Sequence, residues 1–319
     1  MSRQVHGPAL VVISLAGWSL LTACDESESK GGAGVQLVMG RTGFGPREFS
    51  YPRAVVFDGQ GRLYVVDKAA RVQCFTPDGE FVLDWRMPEW NAGKPTGLGI
   101  GPDGRVYAAD THYSRVMIFE PDGRLVGQFG TRGEAPGQFL LPTDVAVDEE
   151  GFIYVAEYGG NDRISKFGPD LEYQFSFGRP GAGPGEFQRP ESLLLDEDGT
   201  LWVADACNHR ICRFTRDGEF LGAFGESGSS LGQLRFPYGI DRLSDGTLVV
   251  CEYGNNRVQR FDRTGRSLGI WGRAGRRVGE LAYPWALAVG PNNRMYVVDS
   301  GNNRLQVVNA LEPGVWRRP

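Results

Sequence analysis

The sequence predicts an all-β fold, a six-bladed β-propeller with four antiparallel strands per blade, on three observations. Six prolines recur at near-constant spacing, an acid follows each at a fixed distance, and short apolar runs broken by glycine-rich turns fill the intervals. The prolines are Pro52, Pro95, Pro142, Pro190, Pro237 and Pro284, separated by 43, 47, 48, 47 and 47 residues. Fifteen residues after each comes a carboxylate: Asp67, Asp110, Glu157, Asp205, Glu252 and Asp299. Four to six residues later comes an arginine: Arg71, Arg115, Arg163, Arg210, Arg257 and Arg304.

Each copy holds four short runs. In the fourth they fall at 193–196, 201–205, 210–214 and 219–224, with Asp198-Gly199 and Asp217-Gly218 as hairpin signals between them. Four such strands in roughly 40–50 residues make one propeller blade. Composition agrees. The 46 glycines and 19 prolines among 319 residues suit many tight turns, and 41% hydrophobic residues suffice for a packed core.

The sixth copy lacks a fourth strand. Gly130, Gly178, Gly225 and Gly272 end fourth strands and each precedes the next proline by twelve residues; Gly40 stands in the same relation to Pro52. Residues 35–39 are therefore an orphan fourth strand expected to complete the last blade and close the ring, which leaves no open edge between first and last blades. The propeller spans 35–308, and 309–319 form a C-terminal tail.

The pattern P-x-x-[VLI]-x-x-D…[IL]-[YW]-V-A-[DE]…N-x-R-[IV]-x-x-F, clearest at 142–157 and 254–265, resembles the NHL repeat and runs through residues 35–308. The resemblance implies a propeller that binds rather than catalyses. Some NHL-repeat proteins attach the propeller to ubiquitin-ligase or kinase modules; no such module is legible here.

Ahead of the repeats, residues 7–23 are uncharged and apolar, and Arg3 precedes them. They read as a signal-peptide core of residues 1–23. Leu21-Thr22-Ala23-Cys24 resembles the bacterial lipobox, which implies cleavage before Cys24, lipidation of Cys24 and an extracytoplasmic place in a bacterial cell envelope. Residues 24–34 are polar and glycine-rich, as a flexible tether is.

Candidate functional residues follow from propeller geometry. Starts of innermost strands and the loops between second and third strands share one face. The residues after the prolines, Arg53, Thr96, Thr143, Glu191, Tyr238 and Trp285, with Asp144 beside them, are expected to ring the channel mouth. His112, Tyr113, Tyr158, His209 and Tyr253 are the loop residues expected around it. These positions vary between copies while the strands repeat, and loops on a rigid scaffold are free to bind. The six acid–arginine pairs are expected to be structural: a catalytic site uses a few different residues in one place, not one pair six times.

The expected partner is a protein, peptide or glycan on the loop face, bound by a monomer that touches membrane only through its lipid. A net charge of −5 argues against general nucleic-acid binding. No P-loop, G-x-S-x-G elbow or triad is present. No catalytic residue, cofactor or metal is assigned; Cys207, His209 and Cys212 lack a zinc-site spacing, and a disulfide among Cys74, Cys207, Cys212 and Cys251 stays open. The alternative is a hydrolase or lyase with a divalent metal in the channel. Amidoglycolate lyases use several channel histidines, and only His112 and His209 are available. Lactonases use Glu, Asn and Asp, for which Glu191, Asp144 and one of Asn208, Asn256 or Asn303 would have to converge.

Overall fold

The computed structural model describes residue 1 and residues 34–317; the signal-peptide and Cys24 assignments lie outside the described residues. Six four-stranded antiparallel sheets follow one another along the chain. Their innermost strands are Pro52–Phe57, Gly97–Ile100, Leu141–Val147, Pro190–Leu195, Pro237–Arg242 and Pro284–Val289, which number blades 1 to 6. A proline has no amide hydrogen to give a ladder, so it is tolerated at the first residue of a strand, where four of the six stand; Pro142 is the second residue of its strand and Pro95 lies just ahead of its own.

Each second strand is buried along its length, save one end residue in blades 3, 4 and 6, because neighbouring blades pack on both its faces. At the centre of four blades an aromatic ring fills that layer: Tyr64, Tyr154, Trp202 and Tyr296 are fully buried. Their polar tips need partners. Asp58, Asp148 and Asp196, the aspartates six residues after a repeat proline, accept from Tyr64 (3.2 Å), Tyr154 (3.4 Å) and the Trp202 indole (3.2 Å). The first two also accept turn amides, of Arg62 and Phe152 at 2.8 Å each. The aspartate of the sequence pattern is thus a turn cap and an aromatic anchor together.

The glycine twelve residues before a proline has an equally local cause. Gly40, Gly130 and Gly178 have φ of 87°, 86° and 84°, and a Cβ there would stand 2.3–2.4 Å from the rings of Phe49, Phe139 and Phe187. Those rings are fully buried and pin each inter-blade link to the sheet.

The ring closes as the sequence predicts. Val35–Met39 pairs antiparallel with Arg304–Asn309, matching Val35 with Val308 and Met39 with Leu305. The tail adds a second closure that the sequence reading missed. Arg317 exchanges backbone hydrogen bonds with Ile270 at 2.9 and 3.0 Å, extending the outer edge of blade 5. Val315 is buried, and the Trp316 indole donates to the Ala310 carbonyl at 2.6 Å. Residues 310–317 therefore strap blade 6 to blade 5.

Candidate ligand site at the channel mouth

All six predicted acid–arginine pairs form, with N···O separations from 2.6 to 3.2 Å. Every acid is fully buried. Beyond its acid, Arg210 donates to the carbonyls of Ala182, Gly183 and Glu186 in the link that enters its blade. Arg163, Arg257 and Arg304 do the same in theirs. The acid in turn accepts the amide seventeen residues before it, as Asp205 does from Gln188 at 2.7 Å. Outside blade 2 these pairs are clamps between link and sheet, remote in role from any ligand.

The residue before each arginine has a second structural duty. Ser114, His209, Asn256 and Asn303 take left-handed backbone conformations, φ 52–56°. The His209 ring nitrogen accepts the Phe236 amide (3.1 Å), and the side-chain oxygens of Asn256 and Asn303 accept the amides of Tyr283 (2.7 Å) and Tyr51 (2.6 Å). Asp162 accepts from Arg189 at 2.5 Å in the same way. His209 is therefore a turn acceptor interchangeable with asparagine. Exposed His112 accepts from the Lys94 amide at 3.4 Å and covers Gly93; burial and the Arg53 charge push its pKa down.

The innermost strands line an axial cavity of about 310 Å³ to which all six blades contribute. Arg53, Thr96, Asp144, Glu191, Tyr238 and Trp285 stand on its wall. Thr143 does not. It is buried, and its hydroxyl bonds the carbonyls of Ala156 (3.2 Å) and Pro190 (2.6 Å) between blades 3 and 4. Thr96 ties blade 2 to the Thr143 carbonyl (2.9 Å) in the same manner. A small β-branched hydroxyl suits such a tie because it meets an inward carbonyl without reaching across the channel.

One sector of the mouth is aromatic. Tyr238 stacks on Tyr253, centroids 4.8 Å apart, and meets Trp285 edge-on at 5.0 Å; Tyr51 and Tyr253 flank Trp285 at 5.8 and 5.6 Å. Tyr283 packs on Tyr253 at 5.2 Å and remains half exposed. Tyr238 itself is buried, so it supports the others rather than meeting solvent. Beside them, the Arg189 guanidinium lies over Tyr158 (4.9 Å) and Tyr238 (5.2 Å) and pairs with buried Glu191 at 2.8 Å. Tyr113 instead stacks under Arg115, 4.9 Å away, and belongs to blade 2's outer support.

Sequence reasoning missed the residue before each proline. That position normally excludes helical backbone and favours an extended one. Here Tyr51, Arg189, Phe236 and Tyr283 have φ of 51–59°. The left-handed turn adds Tyr51, Arg189 and Tyr283 to the mouth. A run of large residues before Pro52, Pro190, Pro237 and Pro284 was the available signal.

Two carboxylates lie along the channel wall. Asp144 accepts the Leu193 amide at 2.9 Å, and Asp241 accepts the Val289 amide at 2.6 Å. Each closes part of the free inner edge of the following blade. Burial pushes Asp144 up to about 7, with nearby Glu191 adding to it, and pushes Asp241 up to about 6. Burial also raises Glu191, against the pull of Arg189, Arg53 and Trp285.

Among the described residues no group of three His, Cys, Asp or Glu side chains gathers to hold a metal. The asparagines of the lactonase-like arrangement are occupied elsewhere: Asn208 donates to Asp205 (2.8 Å) and the Gly181 carbonyl (2.9 Å), and Asn256 and Asn303 accept the amides named above. Cys74, Cys207, Cys212 and Cys251 are free thiols. No helix among the described residues is long and apolar enough to cross a membrane.

The profile of the NHL repeat matches residues 187–214, 234–261 and 281–308, each running from the link phenylalanine or leucine of blades 4, 5 and 6 to the end of the third strand or one residue from it. Human NHL repeat-containing protein 3 is 32% identical over 126 residues, 38% of this chain and 36% of that protein. The chain thus matches about a third of that relative's length. Among solved structures, a streptogramin B lyase superposes with a TM-score of 0.63 at 16% identity, covering 85% of this chain and 96% of the other. A gluconolactonase from Xanthomonas campestris superposes at 0.61 and 15% identity, covering 82% and 87%. At such identities the likeness is one of fold. The chain is a six-bladed propeller, three of whose blades match the NHL repeat.

Proposed function

We propose that this propeller is a binding module that captures its partner at the channel mouth, held outside the cytoplasm by a lipid on Cys24. One observation carries the reading: half-exposed Tyr283, Trp285 and the Tyr51, Tyr238 and Tyr253 rings form a continuous aromatic wall that ends on a paired Arg189 and Glu191, with the Arg189 guanidinium over the Tyr238 ring. Such a wall with a charged rim is the composition of recognition surfaces, where tyrosine, tryptophan and arginine carry most of the binding energy. The rings hold one another in place, so little side-chain freedom is lost on binding. A protein, peptide or glycan fits this surface, and the opposite arrangement, a gathered metal-ligand set, has no support from the channel residues.

The test pairs capture with stability. Immobilised protein is offered envelope extract, and retained components are compared between wild type and a Tyr283→Ala, Trp285→Ala variant. Loss of wild-type-specific partners, about thirtyfold or more in affinity at roughly 2 kcal/mol or more per anchor, with the fold intact, supports the reading. Unchanged capture rejects it. For the anchor, Cys24→Ala is expected to move the protein out of the membrane fraction; retention there rejects lipidation at Cys24.

A further inference from the structure

The deepest anomaly at the mouth is Arg53. Its side chain has no hydrogen bond and no carboxylate partner among the described residues, and its Nε is wholly shielded from solvent. Its guanidinium carbon lies 5.0 Å from the Trp285 ring. The neighbouring arginine is different: Arg189 already holds Glu191. A half-buried guanidinium that keeps its charge without a counter-ion is costly, and proteins ordinarily pair it. Glu191 thus pairs directly with Arg189 and attracts Arg53 only from beyond ion-pair distance.

Along the channel from Arg53 aliphatic residues join the wall beside Asp144 and Asp241. Val55, Leu98, Val145, Leu193, Ile240 and Leu287 line the cavity from six blades. At about 310 Å³ the space sits at the small end of ligand pockets.

We infer that the channel binds a small organic anion, a monocarboxylate with an apolar body, its anionic end on Arg53 and its hydrocarbon among the six aliphatic side chains. The fork of donors on Arg53 matches a carboxylate, and the Trp285 face behind it holds the guanidinium plane in position. Burial lifts the carboxyls of Asp144 and Asp241 to about 7 and about 6, which weakens the repulsion they offer an anion. Glu191 is neutralised by Arg189. The inference rests on the reading that the mouth is a recognition site and adds to it a small-anion subsite in the channel below.

The probes are hexanoate, its uncharged analogue hexanamide, and inorganic phosphate, titrated into the full protein by calorimetry and by Trp fluorescence. Hexanoate is expected to bind saturably, with hexanamide and phosphate at least tenfold weaker. Arg53→Gln is expected to weaken hexanoate at least tenfold and at the same time to raise the melting temperature, because an unpaired charge is removed. Arg53→Lys keeps the charge but not the fork, and is expected to bind between the two. Equal binding of acid and amide, undiminished binding by Arg53→Gln, absence of hexanoate binding, or phosphate binding as tight as hexanoate overturns the inference. If hexanoate fails to bind while the Tyr283→Ala, Trp285→Ala variant still loses its partner, the ligand class falls and the recognition mouth stands. If that variant keeps its partner, the recognition mouth itself falls.

Discussion

Blades 5 and 2 carry the same buried acid–arginine pair and differ in everything that surrounds it. In blade 5, Glu252 accepts from Arg257 (2.6 Å), Asn255 (2.6 Å), Gln259 (2.8 Å) and the Arg235 amide (3.0 Å). Arg257 spends its remaining donors on the carbonyls of Ser229, Ser230 and Gln233. In blade 2, Asp110 accepts from Arg115 at 2.9 Å, while its other oxygen is buried with no partner. Arg115 turns outward: Nη2 lies 2.7 Å from exposed Glu89, at an angle that makes an ion pair without a hydrogen bond. The cause is the link. Blade 5 is entered through Gly225-Glu226…Gln233-Leu234, whose carbonyls face the arginine; the link into blade 2, 87–96, lacks both the glycine and the capping residue and is the reason for the short 43-residue gap. One residue pair can therefore be a locked clamp or a half-satisfied one, and the partner segment decides which.

The largest expected effect tests the locked clamp. Arg257→Ala leaves Glu252 buried without its charge partner and frees three link carbonyls. It should cost about 3–5 kcal/mol, the range for breaking a buried pair from one side. Urea unfolding measures it. A loss below about 1 kcal/mol would show that the link holds the blade without the arginine.

The next effect is a pH dependence peculiar to blade 2. Burial, only partly offset by Arg115, pushes Asp110 up to about 6, against an ordinary value near 4. A carboxyl raised in the folded state binds its proton more tightly there, so its favourable contribution is full below pH ~4 and is lost as pH rises toward ~6. Two units correspond to about 3 kcal/mol at most. Wild type should therefore lose about 2–3 kcal/mol relative to Asp110→Asn between those pH values. Asp144 and Asp241 titrate in both proteins and cancel in the difference. Asp205→Asn, whose carboxyl accepts from Gln188, Asn208 and Arg210, should show a smaller change over the same range. Parallel curves for Asp110→Asn and wild type would refute the account.

Arg115→Ala should then be the mild counterpart of Arg257→Ala. Asp110 can shed its charge near pH 6, and no link carbonyl loses a donor. About 1–2 kcal/mol is expected at pH 6, the scale of one charged hydrogen bond. Equal losses for the two arginines would erase the distinction between the blades.

The contrast also shows what a sequence can and cannot disclose. Pro52 to Pro284, the acids and the arginines repeat because each serves one blade, and a local demand repeated six times is legible. The strand at 35–39 was legible for the same reason, through Gly40. Arg53 and Trp285 could be placed at the mouth by offset. That Arg53 has no carboxylate, that Thr143 turns into the wall and that Tyr238 is buried depend on side chains brought together from different blades, which no offset records. The strap at 310–317 left only a weak trace, the apolar Val315-Trp316 pair in a polar tail.

The smallest effect concerns what replaces the link in blade 2. Between buried Met87 and Pro95, residues 88–94 are held by surface contacts: Arg86 and Lys94 lie 5.2 and 5.3 Å from the Trp90 ring, Lys94 donates to the Trp90 carbonyl at 2.8 Å, and the Ala92 amide donates to the Tyr113 hydroxyl at 3.0 Å. Trp90 is 40% exposed, so its ring buries little and its two cation contacts stay hydrated. Exposed contacts of this kind contribute about 0.5–1 kcal/mol. Trp90→Ala should cost no more than about 1 kcal/mol by urea unfolding. Phe187→Ala, in the locked link of blade 4, removes a fully buried ring and should cost about 3–5 kcal/mol. Amide exchange separates the two further. The link of blade 2 should exchange by local opening at low free energy, while the link carrying Phe187 should exchange near the global limit. If Trp90→Ala cost as much as Phe187→Ala, the loop at 87–96 would be a third kind of clamp, built on a surface ring, and blade 2 would be as tightly held as blade 5 by different means.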